Sequence, residues 1–424
     1  LLFVISTPLA AALVVGGLLG ASRPMAQLGV PHLKVFEDVV QLITHAYVED
    51  INIDRVFDGA MRGLADGLDA SSAYLTPDEV RALDANAAPP TGDVGLVLTR
   101  QFYLRIVGVR DGSPAHRAGL QTGDYVRAID DRPTRDLSVF AGSRLLRGAA
   151  GSSVTLLVLR NNAAEPHKVE LTREALAGEA VTSRRLAGGE QYVRIASFGS
   201  GTAAALRAQL PLGELETQSG LMGGKTPGVV IDLRATADGV PEDGVAAARL
   251  FVGSGTLATR EARGADKVVL SAAAGDGSVT VPVILVVSNG TANAAEVFAA
   301  ALAGANRARL VGEPTAGIAG AQRLVRLPEG HGLWLTHTQY LQADGSPIHG
   351  RGLRPDVPVD IVTVGFDEKP PTTDAALERA IAELKNAGAG GRTGGRGPAA
   401  AASQAPGAAP GAGRPAPPTG KPQR

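Results

Sequence analysis

The stretch from Val283 to Gln322, VILVVSNGTANAAEVFAAALAGANRARLVGEPTAGIAGAQ, constrains the chain more than any other. Val283 to Val287 is an unbroken apolar run of strand type, and Val297, Phe298, Ala301, Leu302 and Ala305 then recur at helical spacing behind Asn293. The segment therefore reads as a strand, a sharp polar elbow and a helix. Asn293 stands where a helix N-cap belongs, and Glu296 three residues on completes a variant of the capping box. The alternative for Asn293 is an amide that also touches a bound peptide. Gln322 is either a polar contact in the same site or a surface strand residue.

This segment resembles the active-site region of the carboxy-terminal processing (tail-specific) peptidases, serine peptidases that use a Ser/Lys dyad. In that family the run is close to SASASEI followed by R-x-x-x-VGE-x-TFGKG-x-x-Q. Here TANAAEV and VGEPTAGIAGAQ stand in those places, with Glu296, Gly312, Glu313, Thr315, Gly317 and Gln322 matching without a gap. The resemblance puts Asn293 at the position of the nucleophilic serine and Ile318 at that of the general-base lysine. A serine hydroxyl attacks only when a base takes its proton, and a lysine serves as base only when an apolar pocket lowers its pKa. An amide nitrogen with a delocalised lone pair and an isoleucine supply neither. A pocket apolar enough to depress a lysine accepts isoleucine, so the two changes fit each other.

A substitute dyad has little to work with. No lysine lies between Val268 and Glu368, while Ser288, Thr291 and Thr315 are nearby hydroxyls and His331, His337 and His349 are bases further along. A hydroxyl and a histidine in a chain of this size is the background expectation. The histidines show no third ligand at metal spacing, and no metal or cofactor is expected.

Composition narrows the classes. A length of 424 residues implies two to three domains, and 44% hydrophobic with 20% charged residues is ordinary globular usage. A formal charge of −1 gives no general attraction to nucleic acid. The absence of cysteine excludes disulfides and thiol catalysis. Residues 1–26 begin with LLFVISTPLAAALVVGGLLG, which reads as a signal peptide or an inner-membrane anchor, and export to the bacterial periplasm is the working expectation.

Residues 33–88 carry two apolar stripes, Phe36, Val39, Val40, Ile43, Tyr47 and Ile53, Val56, Phe57, Ala60, Met61, Leu64, Leu68. They predict two amphipathic helices packed as a hairpin. The region closes on LDASSAYLTPDEV, similar to the family's LDPHSxYLTPEE, with Thr76 before Pro77 as a helix start. Residues 91–173 break into short strand-like runs and contain GSPAHRAGLQTGDYVRAIDDRP from Gly112, which resembles the signature of a PDZ domain. Such a domain would bind a polypeptide C-terminus as an added strand, with backbone N–H groups of the loop Asp93, Val94, Gly95 and Leu96 on the carboxylate. Asp93 replaces a family glycine, and its negative charge is expected to weaken that capture.

Residues 174–385 alternate strands and helices, YVRIASF from Tyr192 and GVVIDLR from Gly228 being buried-strand runs, with helices at Thr202–Leu215 and Asp243–Leu250. The resemblance implies an α/β core related to the ClpP/crotonase folds, so the whole is an α+β multi-domain protein. DLRATADG from Asp232 replaces the family's DLRNNPGG, and the backbone N–H groups of Gly239 and Ala294 are the implied oxyanion donors. Asp238, in place of a glycine, puts an anion beside them. Residues 386–424 are rich in Ala, Gly and Pro and too poor in apolar side chains to fold. Two functions of different class remain: a pseudoprotease of the cell envelope that holds tails or a partner envelope protein, or a serine endopeptidase with another catalytic arrangement.

Overall fold

The computed structural model describes residues 30–389 apart from 86–89, 162, 177, 211–227, 367 and 370. The apolar segment 1–26 and residues 390–424 lie outside the described residues, as does the second half of the helix expected over Thr202–Leu215. No helix among the described residues is long and apolar enough to cross a membrane.

Helices α1 (Val30–Ala46) and α2 (Ile53–Asp66) form where the two apolar stripes predict them. The expected buried hairpin does not. Phe36 and Val39 on α1 remain 42% and 47% exposed. The apolar partner of α2 is instead strand β1 (Ala73–Leu75), where Phe57 packs edge-on against Tyr74 and His331, and Asp58 accepts the Tyr74 hydroxyl. Helix α3 (Pro77–Asp84) starts on the predicted signal, with Thr76 and Glu79 closing a capping box.

The next unit is an antiparallel sheet of β2 (Leu96–Gln101), β3 (Tyr103–Val109), β4 (Tyr125–Ile129), β5 (Arg132–Pro133), β6 (Ser153–Leu159) and β7 (His167–Thr172). Its order is β2-β3-β4-β6-β7, with β5 paired to β4, so β2 is an edge strand. Between these strands run α4 (Pro114–Arg117) and α5 (Val139–Leu146), the latter capped by Ser138 and packed beside β2. Alternate residues Leu104, Ile106, Leu156 and Val158 face one core. A groove lies between α5 and the free edge of β2.

The core begins with β8 (Val181–Arg185), β9 (Gln191–Ile195), α6 (Thr202–Ala208), β10 (Val229–Asp232) and α7 (Pro241–Ala248). It continues through β11 (Thr256–Ala262), β12 (Val268–Ser271), β13 (Val283–Val287), α8 (Ala294–Gly304) and β14 (Ala308–Gly312). It ends with β15 (Gly320–Arg326), β16 (Gly332–Leu341), β17 (Val357–Pro358) and α9 (Ala375–Ala389), so Asn386 to Ala389 are helical rather than part of an unfolded tail. One sheet has the order β17-β14-β13-β10-β9-β8, parallel from β17 to β9. Both of its faces are covered, which is why its strands read as unbroken apolar runs. Val283, Leu285 and Val287 face α7 and α8, while Ile284 and Val286 face α9. In a second sheet β16 pairs with β1, β11 and β15, so Ala73–Leu75, at the close of the N-terminal helical region, is a strand of the core sheet.

A short segment after β17 clamps the PDZ-like unit to the core. The Phe366 ring lies under the Arg160 guanidinium, 3.9 Å from it, and stacks on His167. Arg160 also donates to Val364 O at 2.8 Å and pairs with buried Asp124 through two 2.7 Å bonds.

Candidate functional site

In an open parallel sheet the crevice lies beyond the carboxyl ends of the strands. Three loops meet there, 233–240 after β10, 288–293 after β13 and 313–319 after β14. Thr291 joins the first two by accepting the Ser288 N–H at 3.0 Å and donating to Leu233 O at 2.9 Å. Ala292 N–H reaches Thr236 O, and Ala316 N–H reaches Thr291 O, both at 3.0 Å.

Asn293 sits at the tip of the elbow, and its backbone overturns the capping expectation. It has φ 51° and ψ −120°, and its side chain makes no cap hydrogen bond. Its Nδ2 instead donates to Ala237 O at 2.7 Å, and its N–H donates to Ile318 O at 2.7 Å. An asparagine held at positive φ with this ψ is a strained residue, of the sort that surrounding structure must enforce. The same closeness shows in Gly244, where a Cβ would meet Ala294 O at 2.1 Å, so α7 packs against the start of α8 only with glycine there.

Glu296 does not cap the helix either. It is fully buried, and its carboxylate accepts the Thr315 hydroxyl, the Gly317 N–H at 2.7 Å and the Ile318 N–H at 2.7 Å. Burial pushes its carboxyl up to about 7, against the pull of those donors. The local spacing of a capping box was satisfied by the sequence, but a loop some twenty residues downstream competes for the carboxylate and wins three bonds. Ile318, thus positioned, packs with Val97 and Val107 of the PDZ-like sheet and with Ala237, Ala292 and Ala316.

Asn293, Ile318, Gln322, Gly239 and Asp238 line one cavity of 380 Å³, together with Asp93, Gly95 and Leu96. Gly239 has φ 94°, and a Cβ there would meet the Phe198 Cβ at 2.5 Å, so glycine is required. Ala294 is buried behind Asn293, and Val94 is buried in the PDZ-like core; neither lines the cavity. Gln322 donates from Nε2 to Thr336 Oγ1 at 3.2 Å, and that hydroxyl donates to Asp69 Oδ1 at 3.2 Å. Sequence reasoning passed over Asp69, although an aspartate before two serines signals an Asx turn, which it makes with the Ser71 and Ser72 N–H groups.

Asp93 also differs from expectation. Its carboxylate accepts the Gly95 N–H at 2.8 Å and the Arg147 Nε–H at 3.0 Å, so its charge is compensated rather than left to repel a tail. Arg147 lines the cavity and had no signal in the sequence. Apolar walls come from Leu98, Val139, Phe140, Leu176 and Trp334, with the Phe140 and Trp334 rings 5.6 Å apart. Ser71 and Ser143 are part of the lining, which among the described residues includes no histidine or lysine. His331 is bonded to Tyr74 on the other side of β1. Among the described residues no group of three or more His, Cys, Asp or Glu could hold a metal ion.

A larger cavity of 660 Å³ lies across the Ser288–Asn289 turn, but its cations are engaged. Arg194 forks onto Asp111 at 2.9 and 3.1 Å, and Arg234 bridges Asp232 and Asp374. The first pair ties the PDZ-like unit to the core, and the second lies within the core.

Residues 191–359 match peptidase family S41, and residues 105–160 match the PDZ domain. The core of the chain is thus similar to peptidase family S41. The chain is 27% identical over 327 residues to a carboxy-terminal-processing protease of Bartonella bacilliformis, covering 77% of this chain and 74% of that one. A carboxyl-terminal-processing protease of Synechocystis is 29% identical, over 72% of this chain and 71% of the relative. Among solved structures, the photosystem II D1 C-terminal processing protease superposes with a TM-score of 0.61 at 25% identity, covering 83% of this chain and 97% of that one. The S41 match spans the α/β core described above, and the PDZ match covers most of the sheet whose edge strand opens onto the cavity. The PDZ groove and the elbow of the S41 core therefore share one space.

Proposed function

We propose that this S41 homologue holds polypeptide C-termini without cutting them, acting as a pseudoprotease that serves as a scaffold or regulator in the bacterial cell envelope. A tail would add as a strand along the edge of β2, under Phe140 and Val139, and run to Asn293. The observation that carries this reading is the composition of the shared cavity. It reaches from the edge of β2 to the elbow, yet Asn293 and Ile318 stand where the family resemblance puts nucleophile and base, and among the described residues no histidine or lysine lines it. Loss of such a unit lowers turnover by about four to six orders of magnitude, leaving the residual effect of binding and backbone donors. Bacterial relatives are consistent with an envelope location, and the apolar segment 1–26 is the part of the chain that would direct it there, by cleavage or by tethering to the inner membrane.

The binding half is tested with fluorescent peptides ending in apolar residues. A peptide with a free C-terminus is expected to bind saturably, and Phe140→Asp is expected to weaken it at least about tenfold by placing a charge in an apolar groove. Equal binding by parent and variant would remove the groove from the account.

A further inference from the structure

Asp238 is the one carboxylate in the shared cavity that no neighbour holds. It lines the space beside Gly239 and Asn293, and it makes no hydrogen bond or ion pair with any described residue. The other acid there, Asp93, is tied to Gly95 and Arg147. Arg110 and Arg147 act on Asp238 only through space, and burial raises its carboxyl despite them. The Asn293 amide commits its NH₂ to Ala237 O, which leaves its carbonyl oxygen as a further acceptor at the elbow. A carboxylate, a side-chain carbonyl and an isoleucine at this end of the cleft offer acceptors and an apolar wall, while of the two arginines in the lining Arg147 is tied to Asp93 and Arg144 lies over the Phe140 ring. This is a poor place for a developing oxyanion and a suitable one for a bound cation, since a buried carboxylate gains most from a charged donor that satisfies it.

We propose that Asp238 is a specificity determinant: the cleft selects tails that carry a lysine or arginine side chain near an apolar C-terminus and seats that cation against Asp238 beside Asn293. The proposal rests on the tail-binding reading given above. It turns the aspartate that replaced a glycine from a defect of the catalytic site into the feature that chooses its occupant. The isoleucine at position 318 would pack on the methylene stem of the same side chain.

A lysine scan tests it. An apolar, otherwise uncharged tail peptide is synthesised with lysine, norleucine or glutamate at each of its last few positions, and affinity is measured by fluorescence anisotropy for the full chain and for Asp238→Asn and Asp238→Gly. Lysine at one position is expected to bind about tenfold tighter than norleucine, glutamate there to bind more weakly, and both variants to erase the difference. Matching circular dichroism spectra and melting temperatures of parent and variants report an intact fold. Equal affinity for lysine and norleucine tails, or a lysine preference that survives in Asp238→Asn, would overturn the proposal and leave tail binding standing. Failure of every tail to bind the parent would overturn both.

Discussion

Replacing Glu296 with alanine is expected to lower stability by about 3–5 kcal/mol, because three buried donors lose their acceptor at about 1–3 kcal/mol each. The donors are the Thr315 hydroxyl and the N–H groups of Gly317 and Ile318, so the loop that presents Ile318 should loosen first. Urea unfolding gives the size, and amide exchange over residues 313–319 gives the place. A loss under about 1 kcal/mol would mean that the loop is held otherwise. The carboxylate also makes stability depend on pH with a definite sign. Its folded value near 7 lies above the ordinary 4.5. Below about 4.5 both folded and unfolded chains carry the proton; as pH rises the unfolded chain releases it first, and above about 7 the full cost of an ionised buried acid, about 3 kcal/mol, is present. Relative to Glu296→Gln, the parent should therefore lose stability between about pH 4.5 and 7.5, and parallel curves would contradict the burial argument.

The second large effect concerns Asp238 in a rebuilt site. Asn293→Ser with Ile318→Lys restores a hydroxyl at the strained elbow and an amine among Val97, Val107 and Ala316, an apolar setting that lowers a lysine's pKa toward that of a base. The anion of Asp238 still sits beside the Gly239 N–H, where negative charge would develop. Adding Asp238→Gly is expected to raise turnover by a further factor of about 10²–10³, the usual worth of one oxyanion donor. Comparing kcat of the double and triple variants on an unfolded substrate decides it, and equal rates would show that Asp238 does not bear on that position.

Pattern was enough to find the strand Val283–Val287, whose bounds agree with the structure, because an unbroken apolar run bounded by turn residues is a local property. The helix Val139–Leu146 went unread although Ser138 marked its start, since two turns are too few to show a stripe. The errors at the site share one cause. Glu296 and Asn293 obey a local capping rule in sequence, while in the fold a distant loop claims the carboxylate and Ala237 claims the amide. Asp93 looked like a repulsive charge because its partner, Arg147, lies on the far end of a helix that was not read. The stripe on α1 failed in the opposite way: it predicted the helix but not its partner, since α2 turns to β1 and leaves Phe36 and Val39 in solvent. Which atoms satisfy a buried polar group is settled by contacts far apart in the chain, and no window of sequence contains them.

The account stands or falls on hydrolysis by the unaltered protein. An unfolded polypeptide with an apolar C-terminus, incubated at concentrations that saturate binding and followed by intact mass, is predicted to keep its full mass while it remains bound. Fragments cut at a discrete site, and lost when Ser71 or Ser143 in the cavity lining is changed to alanine, would show that an attacking oxygen works there after all and would contradict the pseudoprotease reading.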